Sequence, residues 1–393
     1  MSATEDHVAG RPAIDRPAAA LATASRVAPP PRHLLFWLAA AGLGAALVVG
    51  LRMIGNEYGY FAGYFILQYI VLASAWNILG GYAGYVDFGA AGFMAAGAYT
   101  AIALRKATGL DLLPGIVAAA AVAGLLGLGT GYLTLRLRGV FFSIATLCLA
   151  VVLQTLVVNW DYVGGSRGAY IVRPREVPPF VSYGEYMFVV MLVLAILAVG
   201  ISRTVELTRL GRGLQAIRDN ERAAEAMGVP TLRLKLIATT LCGALMGVAG
   251  APLPYYSGYL NPEAAFSLAY AVNAIAMPLI GGAGSWLGPV IGAVLLGGLQ
   301  QAATVTISSA LNLWIVGWML VIFVAVAPRG ILGWFRSAHE RRGCPSPCRG
   351  RRQALRWLRR PAGRRHHAAR RGAAGVDRPQ WLRQEHLRQL HQR

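Results

Sequence analysis

Charge is what this sequence has least of. Only 14% of its 393 residues are Asp, Glu, Lys or Arg, where a soluble domain carries about a quarter. With 56% hydrophobic residues, that deficit excludes an ordinary soluble protein. Carboxylates are scarcer still, 17 against 37 basic residues, and Asp87 is the one charged group expected at membrane depth. Ion-coupled carriers generally need an intramembrane Asp/Glu/His relay, so the shortage argues against that class. Four cysteines say little. Cys148 and Cys242 fall in apolar stretches and read as packing residues, while Cys344 and Cys348, near His366 and His367, are wrongly spaced for a zinc pair. No metal site is expected. A phosphate loop is missing from the reading frame, so the chain is expected to bind no ATP by that means and to carry no cofactor. Gly282-Ala-Gly-Ser-Trp-Leu-Gly288 has some glycines of a dinucleotide fingerprint, but its spacing is off by one and no soluble strand precedes it.

What is present is apolar length. A bilayer-spanning helix needs about 20 mostly apolar residues, and about ten segments qualify: 34–54, 58–79, 85–105, 111–133, 139–159, 185–202, 235–255, 268–281, 287–304 and 310–327. The span 268–281 is short enough to be tilted or broken. The fold class this predicts is an all-α membrane protein, a polytopic helical bundle whose 47 glycines suit close helix packing in lipid. Residues 1–33 are polar and Pro/Ala-rich and read as a cytoplasmic tail before an uncleaved first span. Residues 34–335 form the membrane domain, and 336–393 form a separate Arg-rich tail, expected to be disordered.

Net charge is +20, but 17 Arg against Glu340, Asp377 and Glu385 place +14 of it after Phe335. The charge is therefore no argument for a nucleic-acid partner. In the body, the loop 202–235 carries Arg203, Arg209, Arg212, Arg218, Arg222, Arg233 and Lys235. The positive-inside rule puts that loop, and with it both termini, in the cytoplasm. Arg136 and Arg138 agree. Arg105–Lys106 and Arg167, Arg173 and Arg175 fall on the outer side and disagree.

The same loop has an internal pattern. Leu214, Ile217, Ala224 and Met227 recur near helical spacing, leaving one apolar ridge flanked by Arg and Glu. Asp219 and Asn220 are good N-caps for a second short helix, and Gly228 and Pro230 stop it. Two short helices with a turn between them follow. Such a segment either lies on lipid headgroups or docks in a partner's groove, and the pattern alone does not choose.

Within the apolar stretches, Gly80, Gly81, Gly84, Gly89 and Gly92 surround Asp87 and are compatible with a broken helix lining a cavity. In the alternative, the glycines pack helices and Asp87 caps a half-helix. Asn77 reads as an interhelical hydrogen-bond partner, with Asp87, Gly84 and Gly89 as the other translocation-path candidates. Trp76, Trp160, Trp286, Trp314 and Trp318 read as interface or packing aromatics.

Glu221-Arg-Ala-Ala-Glu-Ala-Met-Gly228 resembles the coupling loop of ABC importer permeases, in which two Ala precede a Gly by a fixed gap. Ala223, Ala224 and Gly228 match that gap, whereas Arg222 stands where the motif often has Glu. Gly80-Gly-Tyr-Ala-Gly-Tyr-Val-Asp-Phe-Gly89 with Gly97-Ala-Tyr-Thr100, Leu137-Arg-Gly-Val-Phe-Phe142, Gly164-Gly-Ser-Arg-Gly168, Tyr259-Leu-Asn-Pro-Glu263, Ile280-Gly-Gly-Ala-Gly-Ser285 with Gly288-Pro289, and Pro328-Arg-Gly330 are similar, in order, to the branched-chain amino acid ABC permeases of the LivM type. Ala90 departs from the family, which often has His there. The resemblance implies a permease subunit of the bacterial inner membrane, surrounded by lipid and without catalytic residues. It would work with ABC ATP-binding subunits that use the ATP, with a homologous second permease subunit and with a periplasmic substrate-binding protein. The implied ATPase-coupling residues are Leu214, Ile217, Glu221, Arg222, Ala223, Ala224, Glu225 and Gly228. Branched-chain amino acids are the implied cargo, with urea or amides as the alternative within the ABC reading. Outside it stand a secondary transporter or channel for a small polar solute, and a scaffold without transport, which leaves the glycine-rich break unexplained.

The tail gives a separate pointer. Arg378-Pro-Gln-Trp-Leu-Arg-Gln-Glu-His386, written as codons and shifted by one base, permits Gly-Pro-Asn-Gly-Ser-Gly-Lys-Ser-Thr. That is the phosphate loop G-x-x-x-x-G-K-[ST]. Residues 336–393 therefore read as out-of-frame translation into an ATPase gene. The nucleotide sequence checks this: an ATPase reading frame one base away is expected across the segment, and a frame interrupted by stops refutes the idea.

Overall fold

A computed structural model of the chain describes residues 31–55, 57–134, 139–172, 180, 182–306, 317–318 and 331. The tails 1–30 and 336–393, and the expected span 310–327 apart from 317–318, lie outside them. The helices are α1 (Pro31–Ile54), α2 (Glu57–Trp76), α3 (Ala90–Thr108), α4 (Leu112–Thr134), α5 (Val140–Val158), α6 (Tyr183–Leu207), α7 (Arg209–Ala226), α8 (Thr231–Gly250), α9 (Leu253–Ser257), α10 (Pro262–Ala265), α11 (Leu268–Gly281) and α12 (Leu287–Thr306). Among the described residues, eight helical stretches are long and apolar enough to cross a membrane: 35–54, 57–82, 112–134, 140–158, 183–207, 231–257, 262–281 and 287–304.

Backbone polar groups have no water to turn to in hydrocarbon, so continuous helix is the default, and departures from it mark special places. The expected span 85–105 is one. The chain from Ala83 to Gly89 is not helical, and α3 begins only at Ala90. Ahead of it, α2 widens into a π-turn at Asn77–Tyr82. The glycine-rich break foreseen at 80–92 therefore exists, and it starts earlier than the glycines do. The short span 268–281 is completed by α10, and Pro278 lies inside α11.

Three helices make the centre. α2 packs on α6, α8, α11 and α12, α3 on α4 and α8, and α4 runs along α8. The driving force in lipid is close van der Waals approach of small residues rather than burial. A Cβ on Gly97 would sit 2.1 Å from the Gly247 carbonyl oxygen, and one on Gly250 would sit 1.9 Å from that of Met94. The α3–α8 crossing is thus backbone on backbone. The peripheral faces of α1, α4 and α5 leave Leu43, Leu125 and Phe141 exposed, as lipid contact requires. Cys148 is also exposed, on α5, rather than packed inside, while Cys242 is buried on α8.

The two ends of the bundle differ. At one end, α7 lies against the ends of α2, α6 and α8. At the other, β1 (Ala169–Tyr170) and β2 (Tyr259–Leu260) pair antiparallel, Ala169 opposite Leu260, and clip two loops together. Two of the basic residues that disagreed with the charge rule are tied down at this end. Arg105 pairs with Asp111 at 3.4 Å, and Lys106 donates to the Tyr162 carbonyl at 2.8 Å. A cleft of about 930 Å³ opens here, lined by Glu57, Tyr58, Phe61, Phe65, Tyr183 and Tyr256 among others. Tyr256 stacks on buried Tyr64 at 4.0 Å between ring centroids.

Replacing Gly97 or Gly250 by Leu is expected to abolish the monodisperse, folded protein in detergent, because backbone cannot yield as a side chain does and the cost exceeds the ~1–3 kcal/mol of ordinary overpacking. The same change at Gly42 or Gly129, where a Cβ would meet nothing within 4 Å, is expected to be tolerated; size-exclusion profiles compare the four variants.

Candidate functional site

The polar loop builds α7 in two pieces. Its first piece starts at Arg209 and brings Gly211, Leu214 and Ile217 against the bundle. The helix then breaks at Asn220 (φ −161°, ψ 104°), whose Oδ1 accepts a hydrogen bond from Ala223 N at 3.2 Å. This is the capping geometry expected from the sequence. The second piece ends at Ala226, and Gly228 follows at φ +82°. Glu225 holds the exit, accepting from the Thr231 hydroxyl at 2.8 Å.

The apolar ridge faces inward. Leu214, Ile217 and Ala224 are buried in this chain's own core, whereas Met227 is 84% exposed. Neither headgroups nor a partner's groove takes the first three, which corrects both readings of the ridge. The eight expected coupling residues thus divide. Leu214, Ile217 and Ala224 anchor the loop, Glu221 is half-buried, and Arg222, Ala223, Glu225 and Gly228 are exposed.

Two side chains tie α7 to the first helix break and to α8. Glu221 forms an ion pair with Lys235 of α8, whose side chain is 3% exposed. Tyr85, inside the 83–89 break, completes a triangle. Its hydroxyl accepts from Lys235 Nζ at 2.6 Å and donates to Glu221 Oε2 at 2.9 Å. On the other side of the Asn220 kink, Arg218 Nη1 donates to the Gly81 carbonyl at 2.7 Å.

A second glycine-rich turn, 282–286 between α11 and α12, meets the first. Asn77 bridges them, accepting from Gly284 N at 3.1 Å and donating to the Ser285 carbonyl at 3.0 Å. Glu206 at the end of α6 accepts from Trp286 N at 2.7 Å and from the Tyr82 hydroxyl at 3.2 Å. Arg203 stacks over Phe36, 4.1 Å from the ring centroid, and near Trp286. Of the path candidates, Asn77 and Gly84 belong to this junction. Asp87 and Gly89 lie just beyond it: buried Asp87 accepts from Gly89 N at 2.7 Å in the turn ahead of α3, whose N-cap is Gly89 without a side-chain cap. Trp76 is the packing aromatic expected, and it also donates to the Asp87 carbonyl at 2.9 Å.

Sequence reasoning missed Arg218, Lys235, Tyr85 and Glu206 as site residues. The first two were counted only as loop charge. Their signal was faint: a Lys at the start of an apolar helix and a carboxylate at the end of another need partners, and the nearby break offers them.

The family described as the branched-chain amino acid transport system permease component has a sequence model that matches residues 59–324. Among curated proteins, the chain is 29% identical to a high-affinity branched-chain amino acid transport system permease protein LivM of Salmonella typhimurium, over 67% of each chain. It is 27% identical to the protein of that name from Escherichia coli, again over 67% of each. A probable branched-chain amino acid transport permease protein LivH of Methanocaldococcus jannaschii is 25% identical, over 63% of this chain and 82% of its own. No solved structure matches.

Lys235→Ala leaves Glu221 and Tyr85 without their cation, and breaking a buried pair costs about 3–5 kcal/mol. Thermal unfolding in detergent is expected at a clearly lower temperature, with limited proteolysis cutting 209–230 first. The double change Lys235→Met with Glu221→Leu, which leaves no unpaired charge, is expected to recover most of the loss.

Proposed function

We propose, because this chain belongs to the family of branched-chain amino acid transport permeases, that it is the membrane subunit of an ABC importer. A separate ATPase docks on α7, a second homologous permease completes the pore, and a periplasmic binding protein delivers the amino acid. The single observation that carries the coupling role is the pinning of α7: exposed on one side, it is tied on the other to the first helix break through Arg218 and Gly81 and through Glu221 and Tyr85, and to α8 through Glu221 and Lys235. A helix that only lay on lipid would have no need of such ties. Its outward residues, Arg212, Asp219, Arg222, Ala223, Ala226 and Met227, are the surface offered to the ATPase groove, in the manner of helix-in-groove recognition. The phosphate loop that a one-base shift of 378–386 permits supports the same partner.

The α7 end is the cytoplasmic one in this reading, in a bacterial inner membrane, and both termini are cytoplasmic. The aromatic cleft at the other end then faces the binding protein. Its rings suit an aliphatic side chain and the Glu57 carboxylate suits an ammonium group, which favours an apolar amino acid over urea. The tail 336–393 has no part in the mechanism.

Proteoliposomes holding the two permeases and the ATPase test the reading. Leucine, isoleucine or valine uptake that requires ATP and the binding protein is expected; uptake driven by an ion gradient alone, or urea in place of the amino acids, refutes it. Met227→Asp and Ala223→Trp, which alter only the outward surface, are expected to weaken ATPase binding about tenfold, or ~1.4 kcal/mol, without changing the yield of folded permease. Pull-down titrations measure it.

A further inference from the structure

We propose that Arg218 is the positioning residue through which movement of the docking loop reaches the translocation path, by holding the two glycine-rich breaks together in the closed state. The inference rests on the ATPase-driven reading above and assigns it a specific side chain.

Where α2 ends in its π-turn, the last carbonyls lose their helical partners and carry the negative end of the helix dipole. The backbone bonds at this end run from Ala83 N and Tyr85 N to the Leu79 carbonyl. The Gly81 carbonyl instead receives the Arg218 guanidinium at 2.7 Å. A cation at a helix C-terminus is favourable twice over, as hydrogen-bond donor and as charge.

The slot is shaped for this side chain. A Cβ on Gly84 would lie 3.0 Å from Arg218 Cγ, and one on Gly284 would lie 2.9 Å from Arg218 Nη1. Both glycines have left-handed backbone, φ +78° and +87°. Gly84 belongs to the first break and Gly284 to the second, so one arginine, projecting from a third element, touches both. The other side chains that join the breaks, Asn77 in the π-turn and Glu206 at the end of α6, do not stand on α7.

The placement along α7 matters as much. Arg218 lies two residues before the Asn220 kink, and Glu221 lies just after it. Both halves of the loop grip the first break, the Glu221 half through Tyr85 while paired with Lys235 of α8, and the Arg218 half through Gly81; of these ties only Arg218 also reaches Gly284 of the second break. A push that rotates the first half about Asn220 withdraws Arg218 while the Lys235 anchor holds. The breaks then separate at the end of the bundle where cargo leaves.

The experiment compares Arg218→Ala and Arg218→Lys with the parent protein, reconstituted with ATPase, second permease and binding protein. For Arg218→Ala, normal co-purification of the ATPase is expected, together with hydrolysis that rises about tenfold in the absence of binding protein and uptake that falls at least tenfold. Arg218→Lys, which keeps the charge and one donor, is expected to fall between. A second measurement needs no transport. In a background lacking native cysteines, Ser74→Cys places a thiol one turn deeper on α2, where the native hydroxyl is buried and has no hydrogen-bond partner. In the permease alone, a membrane-impermeant thiol reagent is expected to label it at least tenfold faster once Arg218 is Ala. Unchanged labelling overturns the proposal, as does coupled uptake at the parent rate, or loss of ATPase binding in Arg218→Ala, which would make the residue structural. Absence of ATP-driven uptake in the parent protein would instead sink the importer reading, while the labelling result still reports whether Arg218 closes the breaks.

Discussion

A helix broken inside a bundle must have its freed carbonyls and amides satisfied by protein, and that obligation organises this molecule. Two breaks, at 77–89 and 282–286, release backbone groups at one end. Asn77 serves Gly284 N and the Ser285 carbonyl, Glu206 serves Trp286 N, Arg218 serves the Gly81 carbonyl, and Asp87 serves Gly89 N. These four side chains sit where continuous helix fails, because there an ionic or amide group costs less than an orphaned peptide, whereas Arg212, Asp219 and Arg222 at the same end are exposed.

That accounting also explains which parts of the structure were legible beforehand. The helices were readable from apolar length, since hydrocarbon imposes helix wherever length suffices. The caps of α7 were readable from Asn220 and Gly228, because their constraints are local. The break at Gly80–Gly92 was readable from glycine density, although its start at Asn77 was not, since a π-turn leaves no compositional mark. Partnerships were not readable at all: nothing in the order of residues says that Tyr85 meets Lys235, 150 positions away. The ridge of Leu214, Ile217 and Ala224 was found correctly and aimed wrongly. A helical period specifies a face and not which neighbour covers it, and here the neighbour is the chain itself.

Under the docking role proposed for α7, turning that face inward changes what the loop is. Had the apolar ridge faced a partner, α7 would be loosely held until the partner arrived. With the ridge buried, α7 is part of the permease, and its outward side is polar apart from Ala223, Ala226 and Met227. Small exposed residues admit close approach by a partner, and the surrounding arginines supply orientation more than affinity. In the proposed coupling, force applied there is transmitted because the helix beneath is already packed.

The two ties on α7 differ in how readily they yield, and the difference sets the order of events. Lys235 is almost wholly buried and paired with Glu221, so parting them costs on the order of 3–5 kcal/mol. Arg218 is exposed along much of its length and makes one charge-assisted hydrogen bond, worth on the order of 1.5–3 kcal/mol at most and less where water can replace the acceptor. Under the docking role proposed for α7, a load on it releases Arg218 first and reaches the Lys235 anchor last. The kink at Asn220 lets the two halves respond separately, because the helical hydrogen-bond ladder that would couple them is interrupted there. In the mechanism proposed, the loop is a lever that bends at Asn220, with a fixed anchor at Lys235 and a releasable catch at Arg218, and the catch is set in the slot between Gly84 and Gly284 where a side chain on either glycine would displace it.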